Sequence, residues 1–228
     1  NGQNYQIKSL NIVSDLTDNL PIGLFNALNG HVTNVNLHDV NLSGNNYIGS
    51  IVGFVDYNGI ISKCNVYGNI ILCSSVKTLG GLAGKSLGII YKSSVYGEGY
   101  LLGVGKIGGL IGQNEGKCMF CFQSIKGEIT GSNYIGGLIG YQSPEGITHT
   151  CYMSMLGSIS QNTSRRENSD IGGLIGYQEG YLKDSFVASN VIIDGNPISS
   201  IRQHGIEENN FFLNKLSLKY KRVDADRE

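Results

Sequence analysis

The chain contains no tryptophan, only 3 prolines and 4 histidines in 228 residues, and charged side chains make up just 15% of it. Each scarcity excludes something. A formal net charge of −1 leaves no basic footprint of the kind that neutralises phosphates, so DNA and RNA are excluded as expected partners. No apolar run approaches the roughly 18 residues that a membrane-spanning helix requires, so this segment is not expected to insert into a membrane. The first residues, NGQNYQIKSL, carry neither a basic n-region nor an apolar h-region. Because the chain opens on Asn rather than Met, it reads as a mature form or as an excerpt from a longer protein, with any export signal to be sought upstream.

Catalytic constellations are equally scarce. His31, His38, His149 and His204 form no pair with each other or with Cys at spacings suited to tetrahedral zinc, and H-E-x-x-H is absent. Cys118 and Cys121 form a C-x-x-C, but without a second pair or a βαβ context. Residues three apart on one strand point to opposite faces, so joint ligation is not expected. Asp56, Glu98, Glu115, Glu128, Glu145, Glu179 and Asp184 do not gather on one strand column as the carboxylate pair of a glycosidase would. The expectation is a non-enzyme with no catalytic residue, no metal and no cofactor. Glu115, Glu145 and Glu179 each precede a Gly, and read either as a solvated turn column or as a weak cation or ligand groove.

What the sequence has in abundance is glycine, 33 residues, together with many β-branched residues and 13 tyrosines. The glycines repeat. IGSIVG (48–53), LGGLAG (79–84) and IGGLIG (107–112, 135–140 and 171–176) recur at intervals of 31, 28, 28 and 36 residues. A weaker copy, PIGLFNALNG, occupies 21–30. Each hexapeptide is followed by a second block opening on Gly59, Gly88, Gly116, Gly146 or Gly180, with Cys64, Ser93, Cys121, Cys151 and Ser185 five residues further on. A third short apolar strand follows in most copies. No segment carries the 3.6-residue period of a helix.

A repeat of two or three short strands in about 28 residues predicts an all-β fold: a right-handed parallel β-helix of about six coils. Residues 1–205 form the solenoid and 206–228 a C-terminal cap or exit segment. Equivalent strands then stack about 4.8 Å apart and like residues form columns. Ile48, Leu79, Ile107, Ile135 and Ile171 make one core column. Val52, Ala83, Ile111, Ile139 and Ile175 make another, and Cys64 to Ser185 a third. Glycines at coil corners are expected to supply positive φ. Gly140→Val or Gly176→Val should therefore harm folding more than a change at Gly44, read as a loop position. Strict alternation leaves Leu82, Leu110, Leu138 and Leu174 on the other face: either a double-Gly bulge packs them against another part of the coil, or they form an exposed apolar stripe for a partner.

The column arithmetic also constrains cysteine. Cys64 faces Ser93, and Cys121 lies two coils on, at about 9.6 Å, beyond the roughly 7 Å limit for a bridge. Cys64 is expected to be free. Cys121 and Cys151 occupy adjacent coils and could just meet, although buried free thiols are the favoured state. Free thiols in an exported protein suggest an anaerobic habitat or a reducing host cytosol. Irregular loops on the scaffold supply the candidate binding residues: Tyr47 and Tyr134 before the hexapeptide, and Arg165 and Arg166 in the 161–170 insertion.

The unit G-G-L-I-G-x-x-x-x-x-G-I-x-x-x-C-x-x, clearest at 136–153, resembles the GLUG motif of bacterial surface and secreted proteins, including the non-catalytic region of M26-type immunoglobulin A peptidases. NGQNYQIKSLNI and the segment from Ile22 resemble the entry that precedes such repeats, so the resemblance spans roughly residues 1–195. It implies a secreted or cell-surface stalk or adhesive module whose partner is a host or neighbouring protein, or a glycan. The alternatives are an effector delivered into host cytosol and, less favoured, a carbohydrate-active β-helix.

Overall fold

A computed structural model describes residues 1–14, 19–75, 78–162, 170–193, 199–201, 205–214 and 219–223. Among these residues there is no helix, so none is long and apolar enough to cross a membrane. The strands stack into four sheets as a β-solenoid of about six coils with a period near 29 residues, as the repeat predicts. The registers repeat the sequence intervals: Ile48 pairs with Leu79, Leu79 with Ile107, Ile107 with Ile135, and Ile135 with Ile171.

The long sheet has ten strands, with runs of up to ten residues such as Asn65–Ser74, Ser94–Leu102 and Phe122–Gly131. Each hexapeptide then supplies two more sheets. Tyr47–Gly49 and its equivalents make a five-stranded sheet, and Val52–Val55 and its equivalents a seven-stranded one. The second block and its equivalents, from His31–Thr33 to Ile206–Glu208, form the fourth, of seven strands. All pairings are parallel except at the C-terminal end, where Lys219–Val223 runs antiparallel to Asn210–Asn214. A parallel stack has unpaired edges at both ends, and an antiparallel strand ends the coil progression of the long sheet at one of them.

The hexapeptide columns are core. Ile48, Leu79, Ile107 and Ile135 are fully buried, as are Val52, Ala83, Ile111, Ile139 and Ile175. The leucine question is settled by packing: Leu82, Leu110, Leu138 and Leu174 are also fully buried, so the column is interior and offers no apolar stripe to a partner. The chain turns between the two hexapeptide strands, and consecutive residues such as Leu82 and Ala83 both face inward.

The coil corners depart from the expectation of glycine. The residues with positive φ at the sharpest corner are Asn34, Lys63, Lys92, Phe120, Thr150, Asp184 and Asn209, one per coil and none of them Gly. Positive φ on Gly occurs instead within the long sheet, at the paired Gly68 and Gly97 and in the column Gly99, Gly127 and Gly157. The reason the corner tolerates ordinary residues lies in the next position. Ser93 Oγ donates to the carbonyl of Tyr91 at 3.0 Å and accepts from the N–H of Cys64 at 3.1 Å. Ser185 Oγ repeats this with Lys183 and Cys151, at 2.9 and 3.0 Å. Cys121 Sγ donates to Met119 at 3.2 Å, and Asn210 closes the series with its amide on Leu182 and on the Ser185 N–H. The Cys/Ser alternation is therefore a ladder of small side chains that bind the corner backbone in two adjacent coils. Cys121→Ser should leave the urea midpoint almost unchanged, whereas Cys121→Val should lower stability by about 1–3 kcal/mol by stranding buried backbone groups. Equal midpoints for the two variants would remove the hydrogen-bonding explanation.

Among the described residues one carboxyl side chain is buried. Glu207 continues the inward column of Leu182 and is 3% exposed. Burial raises its pKa to about 7. A carboxyl whose folded pKa lies above its unfolded value favours the fold when protonated, so this contribution is full at acid pH and is lost as pH rises through about 7. Stability measured from pH 5 to 8 should fall in the native chain and fall less in Glu207→Gln. Identical profiles would rule the carboxyl out as the cause.

Candidate binding surfaces

The outer face of the long sheet is where the coils cease to be alike. One residue past Cys64, Ser93, Cys121, Cys151 and Ser185 stand Asn65, Ser94, Phe122, Tyr152 and Phe186, and three residues past them stand Tyr67, Tyr96, Ser124, Ser154 and Ala188. The aromatic side chains thus occupy the second column in the early coils and the first column in the later ones. Their rings nonetheless form one continuous stack, with centroids 5.3 Å apart from Tyr67 to Tyr96, 6.0 Å to Phe122, 5.0 Å to Tyr152 and 5.2 Å to Phe186. In such a ladder the ring faces cover one another, so most of it contributes packing rather than recognition.

The change of column leaves a gap. Above Tyr96, where its own column continues with Ser124, Ser154 and Ala188, an open groove of about 480 Å³ runs across three coils. Its floor is the small-residue column. Tyr96, 37% exposed, forms one end. The side away from the aromatic column is Glu98, Lys126 and Leu156, successive members of one register. Regular pairing of the strands is interrupted between Gln123–Met153 and Lys126–Leu156, where the Ser154 N–H still donates to the Gln123 carbonyl at 2.9 Å and Met155 is buried. Lys126 Nζ and Glu98 Oε1 are 2.9 Å apart and both side chains are well exposed, so the pair is weakly held and its members are free to turn to a ligand.

A second cluster lies on the hexapeptide corner. Tyr134, Tyr141 and Tyr177 pack with centroids 4.6–5.6 Å apart. The hydroxyls of Tyr141 and Tyr177 donate to Glu179 at 2.7 and 3.3 Å. Lys106 Nζ lies 4.0 Å from the Tyr141 ring centre and donates to Gln113 Oε1 at 2.7 Å. Burial, then the hydrogen bond to Glu179, pushes the Tyr141 hydroxyl pKa up, and burial with Lys85 nearby pulls that of Lys106 down. Lys106, Tyr141, Tyr177 and Glu179 already have partners, and the cluster ties three coils together.

The sequence candidates meet mixed fates. Tyr134 sits in this corner cluster, while Tyr47 lies three coils away in the same column, against Phe54 at 5.9 Å. The two are not brought together. Arg165 and Arg166 lie outside the described residues, as does His204. The acidic turn column is irregular: the N–H groups of Glu115, Ser143 and Glu179 make equivalent inter-coil bonds, and Glu145 is displaced into an exposed turn by a longer loop. Glu115 pairs with Lys85 at 2.7 Å. Among the described residues no group of three or more His, Cys, Asp or Glu is arranged to hold a metal ion.

The thiols correct the strand argument. Cys118 and Cys121 do not face opposite ways. The corner at Phe120, with φ of +56°, turns the chain between them, and both are fully buried beside Cys151. The five cysteines are free, Cys64 among them. The Cys118 and Cys151 sulfurs lie 3.8 Å apart. Oxidation by diamide of the gently loosened native chain should therefore link Cys118 to Cys151 first. Peptide mapping that found Cys121–Cys151 as the first bridge would contradict this geometry.

Comparison with protein-family models, curated proteins and solved structures finds no match to this chain. Tyr96, Ser124, Ser154, Glu98 and Lys126 were missed by the sequence reading, although the signal was present: counting three residues past each Cys/Ser corner gives Tyr, Tyr, Ser, Ser, Ala.

Proposed function

We propose that this chain is a non-catalytic β-solenoid module of a bacterial surface or secreted protein, of the GLUG-motif kind its repeat resembles. Its role is adhesive: a rigid rod that holds a host or neighbouring protein, or a glycan, on the outer face of its long sheet. The observation that carries this reading is the groove above Tyr96, an open cavity beside the stacked rings of the long sheet. A packed solenoid supports such a site well, because hydrogen-bonded coils fix the side chains that line it before any ligand arrives.

The test uses the labelled full chain on intact host epithelial cells and on bacterial surfaces. Ser124→Tyr extends the Tyr67–Tyr96 column into the cavity and should abolish adhesion while leaving the fold intact. Adhesion unchanged in Ser124→Tyr would discard the groove, and adhesion to neither surface would discard the adhesive role in favour of a spacer. A second reading, an effector acting in host cytosol, is favoured by the five free cysteines. Capture of a single host protein from cytosolic extract, by a chain that fails to bind intact cells, would select it.

A further inference from the structure

We infer that the groove above Tyr96 is a saccharide subsite for about two pyranose units of a neutral glycan. The inference rests on the adhesive reading and names its ligand. Four features carry it. The first is length: the floor runs from Ser124 through Ser154 to Ala188, and coils spaced about 4.8 Å apart make this about 10 Å. That is the span of a disaccharide and too short for a peptide strand of useful affinity.

The second is the end wall. Tyr96 is stacked by Tyr67 on one side, but the next ring, Phe122, is displaced by one column and its centroid lies 6.0 Å away. Part of the Tyr96 face is therefore left over the groove. It is the ring in the ladder whose own column continues into small residues, which is where the C–H face of a pyranose would lie. A flat aromatic face beside hydroxyl-bearing residues suits a ring that is apolar on its faces and polar round its rim.

The third is the polar complement. Ser124 and Ser154 place hydroxyls on the floor, while Glu98 supplies acceptors and Lys126 donors along the side. Their exposed ion pair is weak enough to open onto ligand hydroxyls. The charges cancel, so the lining has no net sign with which to attract a uronic or sialic acid. The fourth is position. The strands at the groove are interior to the sheet, so no free edge is available there for a peptide to add as a strand.

The experiment presents the full chain to a glycan array of neutral, amino and acidic saccharides. It then titrates cellobiose, lactose, maltose and N,N′-diacetylchitobiose, with sialyllactose and digalacturonate as acidic probes, against isotopically labelled protein. Expected are array binding to neutral glycans and saturable shifts at Tyr96, Ser124 and Ser154 with at least one neutral disaccharide. Ser124→Tyr and Tyr96→Ala should each weaken that binding at least tenfold, and Ser154→Leu, a second way of filling the floor, should do the same. Tyr141→Ala, on another face, should leave it unchanged. Preference for the acidic probes overturns the neutral class. Saccharide binding indifferent to Ser124→Tyr and Ser154→Leu overturns the site. Failure of every saccharide while the chain still adheres to cells in a groove-dependent way overturns the ligand and leaves the adhesive reading standing; failure of both removes the two together.

Discussion

Gly140→Val is expected to prevent folding, or to lower stability by more than about 3 kcal/mol, in a urea titration of the purified chain. A Cβ built on Gly140 would lie 2.5 Å from the Ile107 nitrogen and 2.7 Å from the Gly112 carbonyl oxygen. These are backbone atoms of the preceding coil. Their positions are set by parallel ladders on both sides, so the strain cannot be relieved locally; the two hexapeptide strands would have to separate, and every coil above would follow. Gly176 has the same surroundings, 2.4 Å from the Ile135 nitrogen. At Gly44 the nearest obstacle is the Cδ1 of Ile22, the far end of a flexible side chain, and at Gly30 there is nothing within 4 Å. The expected order of loss for alanine substitutions is therefore Gly140, then Gly44, then Gly30. A Gly140→Val chain with a native urea midpoint, or an inverted order, would show that close coil contact is not what the hexapeptide glycines are for.

The second large effect has the opposite sign. Gln123 occupies the inward column between Val95 and Met153, is fully buried, and has no hydrogen-bond partner for either its amide nitrogen or its oxygen. A buried amide left unpaired costs about 1–3 kcal/mol, whereas an apolar side chain of similar shape carries no such penalty. Gln123→Met should accordingly stabilise the chain by about 1–3 kcal/mol. For a chain of this length that is a rise in melting temperature of roughly 3–10 °C. Met is the fitting replacement because Met153 already fills the same position one coil on, in contact distance of the neighbouring Gly137. A lower melting temperature for Gln123→Met would mean that the amide is satisfied in solution, for instance by a buried water.

The contrast between Gln123 and the amides of the seven-stranded sheet shows why the penalty is expected there. Asn114, Gln142 and Gln178 are just as buried, but Gln142 donates to the Tyr181 carbonyl and Gln178 to that of Ile206, each at 3.0 Å. Those side chains lie where the coil turns and carbonyls point inward. Gln123 is the second residue of the strand Phe122–Gly131, facing Val95 and Met153, and its own carbonyl is engaged by the Ser154 N–H.

Much of the fold was legible because a solenoid translates sequence period directly into spatial stacking. The columns of Ile48 and Val52, the Cys/Ser ladder and the isolation of Cys64 all followed from spacing alone. Three things did not. The Leu82 column was undecidable because period-2 alternation fails at a turn, and the hexapeptide contains one. Cys118 and Cys121 were misplaced because a corner at Phe120 stands between them, and a non-Gly residue with positive φ leaves no mark in composition. Tyr47 and Tyr134 were chosen as loop tyrosines, yet they sit on strands, and Tyr134 is engaged by Tyr141 and Tyr177.

The repeat by itself determined that this chain is a parallel stack, which residues share a column, and which columns are interior, because identical units in register can bury their apolar side chains only against one another. Tertiary structure alone decided where the outer surface opens. The groove exists because the aromatic rings change columns between the coils of Tyr96 and Phe122, leaving Ser124 and Ser154 opposite nothing, and a gap of that kind belongs to the space between coils rather than to any one of them.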